Sequence, residues 1–357
     1  MQHLKLYKKD DILAITRIRK FETKLGECVQ VLRDITNIEA SLLGNDATYI
    51  VVGVPEDIGV KANLGAGGAD TAWLPFLRAF LNIQSNDFLN GEEVMVLGHF
   101  DFSDISNLIE GNALTPDEKI EACRHAVRTI DDEVENIVKL ITQCGKIPII
   151  IGGGHNNAYP CIKGAAKGLH KSGLLPIAQI NAINLDAHAD YRPAEGRHSG
   201  NAFRYAEEDG YLEKYCMLGL HENYLTQNTW VDIVNNPFMD VITYEDIFLH
   251  EKYTFLQAIA HAAAFTEDTY CGIELDLDSI EQTLASAVTP AGIQPLHARQ
   301  YVHYAAMDTK VAYLHICEGA TQLADGRRDD STGKLISYLV SDFVKSREAV
   351  LNGAPEE

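Results

Sequence analysis

Eight short runs rich in Val, Ile, Leu or aromatic residues recur along the chain, at residues 49–54, 94–97, 147–151, 180–185, 215–218, 241–244, 270–277 and 311–316. Most are apolar nearly throughout instead of alternating with polar residues, which predicts strands buried on both faces, as in a parallel sheet. Several of the longer segments between them carry helical periodicity. The clearest spans residues 115–144, where Ile120, Cys123, Val127, Ile130, Val134 and Val138 follow one another at three or four positions. Thr115, Pro116, Asp117 and Glu118 supply a cap, a proline at the first position and an acidic first turn. Residues 253–265 and 332–352 read as further helices. Strands alternating with helices predict the α/β class: one doubly wound, mostly parallel sheet of about eight strands with helices on both faces. No Pro/Gly/Ser-rich linker, repeat or low-complexity block divides the chain. The expected organisation is a single domain over residues 46–357. Residues 1–45 form an N-terminal extension packed on it, with a short helix near residues 9–20.

Composition narrows the function classes. With 46% hydrophobic and 23% charged residues over 357 positions, the chain can bury a sizeable core. No run of 18 apolar residues is present, so no membrane span is expected. Lys5, Lys8 and Lys9 are not followed by an apolar segment, which argues against a secretory signal. The seven cysteines are scattered without zinc-finger or C-x-x-C spacing, as in reduced cytosolic proteins. A formal charge of −21 speaks against a nucleic-acid partner. A soluble, cytoplasmic protein is the expectation.

The chemistry concentrates at strand ends. Asp186, His188 and Asp190 alternate after the apolar run 180–185, and side chains two apart in an extended segment point the same way. Open parallel sheets bind ligands at the carboxyl ends of their strands. His155 follows Gly152-Gly153-Gly154 at the end of the run 147–151, where glycines allow a sharp turn and close backbone approach. Neither this cluster nor Gly65–Gly68 has the spacing of a phosphate-binding loop. Glu274, Asp276 and Asp278 end the run from Tyr270, and acidic residues in a buried strand are costly unless paired or metal-bound. The role of Glu274 stays open. Two histidines and four aspartates exceed what one tetrahedral ion needs. The excess of carboxylate over imidazole favours manganese over zinc. If two aspartates bridge, the set holds two ions with an activated water between them, which is hydrolytic chemistry.

These motifs give the chain a clear resemblance. G-G-G-H at 152–155, D-A-H-A-D at 186–190, L-D-L-D at 275–278 and H-I-C-E at 315–318 resemble the arginase/agmatinase (ureohydrolase) family, which includes formimidoylglutamase. The resemblance runs from about residue 49 to residue 318. It implies a pair of divalent ions, most commonly Mn2+. One ion would be held by His155, Asp186, Asp190 and Asp276, and the other by Asp186, His188, Asp276 and Asp278. Asp190 would also orient the nucleophile. Glu318 matches the carboxylate that binds the amidine-type group, and His198 a proposed proton shuttle. Family members commonly form trimers or hexamers, so a homo-oligomer is expected.

The expected partner is a small amidine or guanidine. Residues 191–201 should line the pocket, with Arg192, Arg197 and Asn201 as substrate-binding candidates. Two arginines suit a substrate with two carboxylates, because guanidinium forks bind carboxylates in bidentate fashion. The G-R-H-S-G-N stretch also looks more like formimidoylglutamase than classical arginase. Formimidoylglutamate is therefore the expected substrate. The alternatives are an arginase, an agmatinase or another guanidino-compound hydrolase. The arginines would instead be structural if they pair with Glu195 or nearby acids.

Overall fold

The apolar runs pair edge to edge. A computed structural model describes residues 1–308 and 310–353. Among these residues, nine strands form one sheet: β1 (Leu4–Leu6), β2 (Tyr49–Gly53), β3 (Val94–Phe100), β4 (Ile147–Ile151), β5 (Ile180–Leu185), β6 (Leu212–Leu220), β7 (Met239–Thr243), β8 (Tyr270–Asp276) and β9 (Lys310–Cys317). Their spatial order is β1-β3-β2-β4-β9-β8-β5-β6-β7. Every pairing is parallel except β1 with β3. The strand count exceeds the expected eight because residues 4–6, too short to signal from sequence, add an edge strand.

Burial on both faces explains the missing alternation. Tyr49 and Val51 of β2 point into one core and Ile50 and Val52 into the other, and all four are fully buried. The core of Ile50 and Val52 packs against the helices Ala158–Lys171 and Pro116–Gln143, that of Tyr49 and Val51 against Phe255–Thr266, Pro295–Asp308 and Ser331–Leu351. The long helix Pro116–Gln143 starts as its sequence predicts. The Thr115 side chain accepts the Glu118 N–H, the Glu118 side chain accepts the Thr115 N–H, and Pro116 lies inside the first turn. The N-terminal helix Lys9–Ile15 stops short of the expected residue 20. Lys9 Nζ fastens this extension by donating to the carbonyls of Gly26, Glu27 and Val29 at 3.2, 2.9 and 2.8 Å.

Register brings the central strands to one level. Ile151 pairs with Ile316, Ile316 with Leu275, and Leu275 with Leu185. The residues just beyond these positions on β4, β9, β8 and β5 therefore emerge together in the middle of the sheet. Between β4 and β5 the chain skips across β9 and β8, the kind of crossover where open sheets form a crevice.

Candidate metal centre

β4 leaves the sheet through glycines that no other residue replaces easily. Gly152 and Gly153 have φ of 88° and 79°, and a Cβ on Gly153 would lie 2.6 Å from the Val54 carbonyl oxygen. The loop is braced by buried Glu56, whose Oε1 accepts from Gly154 N–H at 3.1 Å, Asn156 Nδ2 at 3.1 Å and Asn157 Nδ2 at 2.7 Å. His155 is thereby aimed inward with no exposed surface.

The aspartate motifs do not converge through strand pleating, as their alternation predicts. β5 ends at Leu185, and the ligands lie in the turn beyond it. There His188 N–H donates to Asp186 Oδ1 at 2.7 Å, folding the chain back on the aspartate. The same turn recurs next to it: Asp278 N–H donates to Asp276 Oδ1 at 2.8 Å. Asp190 then takes φ of 44°, a left-handed conformation unusual for a non-glycine residue, and Glu318 takes 60°. Strain of this kind concentrates at functional sites.

The result is two clusters joined at Asp186. His155 Nδ1 lies 3.1 Å from Asp186 Oδ2, 2.9 Å from Asp190 Oδ2 and 3.3 Å from Asp276 Oδ2. His188 Nδ1 lies 3.6 Å from Asp186 Oδ1 and 3.2 Å from Asp278 Oδ2. Donor atoms of His155, Asp186, Asp190 and Asp276 come within 4.8 Å of one another, as do those of Asp186, His188 and Asp278. Despite the short distances, His155 Nδ1 and Asp278 Oδ1 are buried without a hydrogen-bond partner. Buried polar atoms without partners are rare, and convergent carboxylates and imidazoles satisfy them by holding a cation. The donor set fits a divalent metal site.

Charge says the same. Burial pushes the Asp276 carboxyl up, with Asp278 and Asp186 adding repulsion; burial likewise raises Asp190, reinforced by Asp186. Glu318 is pushed up to about 8 by burial, with Asp278 and Asp190 opposing its ionisation further. The cluster holds more negative charge than its own histidines balance.

A cavity of about 470 Å³ opens onto the cluster, lined by Asn63, His188, Asp190, Arg192, Tyr224 and Glu318 among others. Glu318 is held at its floor: His155 N–H donates to Oε1 at 2.8 Å and the Ser286 hydroxyl donates to Oε2. Tyr224 stacks on the His188 ring at 4.7 Å and 20°. Glu56, Ser286 and Tyr224 were not singled out from sequence. Glu56 and Ser286 are isolated loop residues and Tyr224 ends a single 3-10 turn, so no spacing marks them.

The segment 191–201 divides differently from the expectation. Arg192 does line the cavity, where its Nη2 donates to Glu195 Oε1 at 3.1 Å. Arg197 does not. It is 3% exposed and its guanidinium is taken up by Asp131, the Asn201 Oδ1 at 3.0 Å and the Asn156 carbonyl at 2.8 Å. Asn201 is equally enclosed, donating to the Pro193 and Gly196 carbonyls while its Oδ1 also accepts His198 N–H. Both residues shape the loop, and neither is among those lining the cavity. His198 lies in the same enclosed part of the loop. Its ring is fully buried, Nδ1 accepts from Gly200 N–H at 3.1 Å, and Nε2 faces Glu195 at 3.4 Å. Burial, with Arg192 and Arg124 adding repulsion, lowers it to about 4.

Known proteins share this arrangement's frame. The sequence profile of the Arginase family matches residues 47–344. A formimidoylglutamase of Streptococcus pyogenes is 26% identical over 229 residues, 62% of this chain and 68% of the relative. The solved formimidoylglutamase of Bacillus subtilis superimposes with a TM-score of 0.68 at 19% identity, covering 93% of this chain and 94% of the other. Trypanosoma cruzi formiminoglutamase with Mn2+ gives a TM-score of 0.67 at 19% identity, covering 91% and 98%. No helix among the described residues is long and apolar enough to cross a membrane.

Proposed function

Given that the chain belongs to the arginase family, we propose that it hydrolyses a C–N bond of a linear amidine, converting formimidoylglutamate to glutamate and formamide. The observation that carries this reading is the shared Asp186. Its Oδ2 faces the His155 cluster and its Oδ1 the His188 cluster, as a carboxylate bridging two cations would. In this reading His155, Asp186, Asp190 and Asp276 hold one Mn2+, and Asp186, His188, Asp276 and Asp278 the other. When bound, the ions supply the Lewis acidity that activates water for hydrolysis.

The chain's own groups do the rest. Glu318, fixed by Ser286 and the His155 N–H, accepts N–H bonds from the cationic amidine and holds its carbon over the cluster. The amidinium charge in turn favours the carboxylate form that burial opposes. Asp190, beside His155 in the cavity wall, orients the nucleophile, takes up its proton and returns it to the departing nitrogen as the C–N bond breaks. Arg192 is the guanidinium that reaches the cavity, and a substrate carboxylate displaces Glu195 from it. The surrendered pair is half-exposed, and such pairs contribute only about 0–1 kcal/mol.

The relatives named formimidoylglutamase support the substrate. The withdrawal of Arg197 from the cavity favours a second reading, a guanidino-compound hydrolase that releases urea, because one arginine serves a monocarboxylate as well. The Mn2+-loaded protein should be offered formimidoylglutamate, arginine and agmatine, with formamide and urea measured separately. Formamide from formimidoylglutamate is expected. Urea alone would overturn the substrate assignment.

A further inference from the structure

Glu274 points from β8 into the protein interior behind the metal centre and has no exposed surface. Its Oε1 accepts from the Tyr313 hydroxyl at 2.6 Å. Its Oε2 lies 2.6 Å from His315 Nδ1 and 3.4 Å from His155 Nε2. Tyr313 reaches it because residue 272 is glycine; a Cβ there would lie 2.5 Å from the Tyr313 hydroxyl. The residue is not among those lining the cavity over the metal centre. Burying a carboxylate costs several kcal/mol unless its partners compensate, so a carboxylate kept here and out of reach of substrate calls for a reason.

The reason lies in the two nitrogens of one ring. Nδ1 of His155 faces the carboxylates of Asp186, Asp190 and Asp276, while Nε2 faces Glu274 on the opposite side. A histidine ligates a cation only through an unprotonated nitrogen, and the group facing its other nitrogen decides which one that is.

We infer that Glu274 is a positioning residue: it draws the His155 proton to Nε2 and so presents Nδ1 bare to the cation shared with Asp186, Asp190 and Asp276. Tyr313 and His315 clamp the carboxylate in place. At 3.4 Å the contact with His155 is longer than an ordinary hydrogen bond and Nε2 has no hydrogen-bond partner, so the charge on Glu274 acts on the tautomer through space. The inference rests on the proposed cation pair.

The test is metal binding, independent of turnover. Metal-stripped wild type and Glu274→Gln are titrated with Mn2+ by calorimetry and followed by electron paramagnetic resonance. Wild type is expected to bind two ions and show a spin-coupled signal. Glu274→Gln should lose about 10- to 100-fold in affinity for one ion while the other binds as in wild type. A single-ion signal then persists at Mn2+ levels that already couple the wild-type pair. A loss shared equally by both ions, as general disorder would produce, overturns the inference, and so does unchanged affinity. Should Glu274→Gln fail to fold, Tyr313→Phe keeps the carboxylate and loosens its clamp. It should weaken the same ion about three- to tenfold, and unchanged binding there is also fatal. Failure of wild type to take up two ions would overturn the cation-pair reading itself, a distinct outcome.

Discussion

Arg197 and Asp131 form a buried fork. Nε donates to Oδ2 at 2.9 Å and Nη2 to Oδ1 at 3.2 Å, tying the loop after β5 to the helix Pro116–Gln143. Arg197→Met would leave the Asp131 charge buried and alone, at a cost of about 3–5 kcal/mol in stability. Arg192→Ala, at an exposed position, should change stability by no more than about 0.5 kcal/mol and raise KM for a carboxylate-bearing substrate. Urea unfolding and steady-state kinetics on the two variants separate the roles. Equal stability losses would show that the fork contributes nothing special.

Removing a donor from the metal centre should separate the two clusters. His188→Ala is expected to lower bound metal from two ions towards one and kcat by more than about a hundredfold. Asp276→Asn, which removes a donor that this reading gives to both ions, should lower metal content and kcat at least as far. Metal analysis and assay of the same samples check this, and full activity in either variant would sink the two-ion mechanism.

Chelation should expose how strained the metal-free centre is. The carboxyls of Asp190, Asp276 and Glu318 all resist ionisation there. Mn2+ at about 100 times its dissociation constant should restore some 2.7 kcal/mol of stability per independent site. The readout is the thermal midpoint against Mn2+ concentration. A midpoint indifferent to Mn2+ would mean no specific site.

His198 should leave a signature in acid. Its folded value near 4 lies below the ordinary histidine value of about 6.5 because burial disfavours the charged ring. Between those values the unfolded chain binds the proton and the folded chain does not. Stability is therefore intact above about pH 6.5 and falls as pH drops toward 4, by on the order of 3 kcal/mol. Urea midpoints of metal-free wild type and His198→Asn at pH 7.5 and 5 should show a smaller drop for the variant. Parallel drops would exclude the effect.

Ser286 should matter through Glu318. Ser286→Ala removes one hydrogen bond to the carboxylate that holds the amidine, so KM should rise about three- to tenfold with metal content unchanged. A loss of metal instead would place Ser286 in the wrong role.

The sequence was legible where spacing is local. Continuous apolar runs located eight strands, and the Thr115–Glu118 signal located a helix start to the residue. The donor motifs likewise came together as an ordered set. Their convergence comes from turns and not from strand pleating, because an aspartate that caps its own turn puts residues two apart together much as a strand does. What stayed illegible depends on distant partners. Whether Arg197 faced substrate or core was decided by Asp131, 66 positions away. The place of Glu274 was decided by Tyr313 and His315 on the neighbouring strand.

The edge strand β1 bears on where this protein begins as a folding unit. The family match starts at residue 47, yet Leu4–Leu6 form a rung of the sheet alongside residues 98–100 of β3. The homologous region and the sheet thus have different borders. A chain trimmed to the homologous region would bare the N–H and C=O groups of β3, an invitation for a second molecule to add its own strand. Loss of solubility in such a trimmed chain would be a defect of its boundary and would say nothing about its catalytic residues.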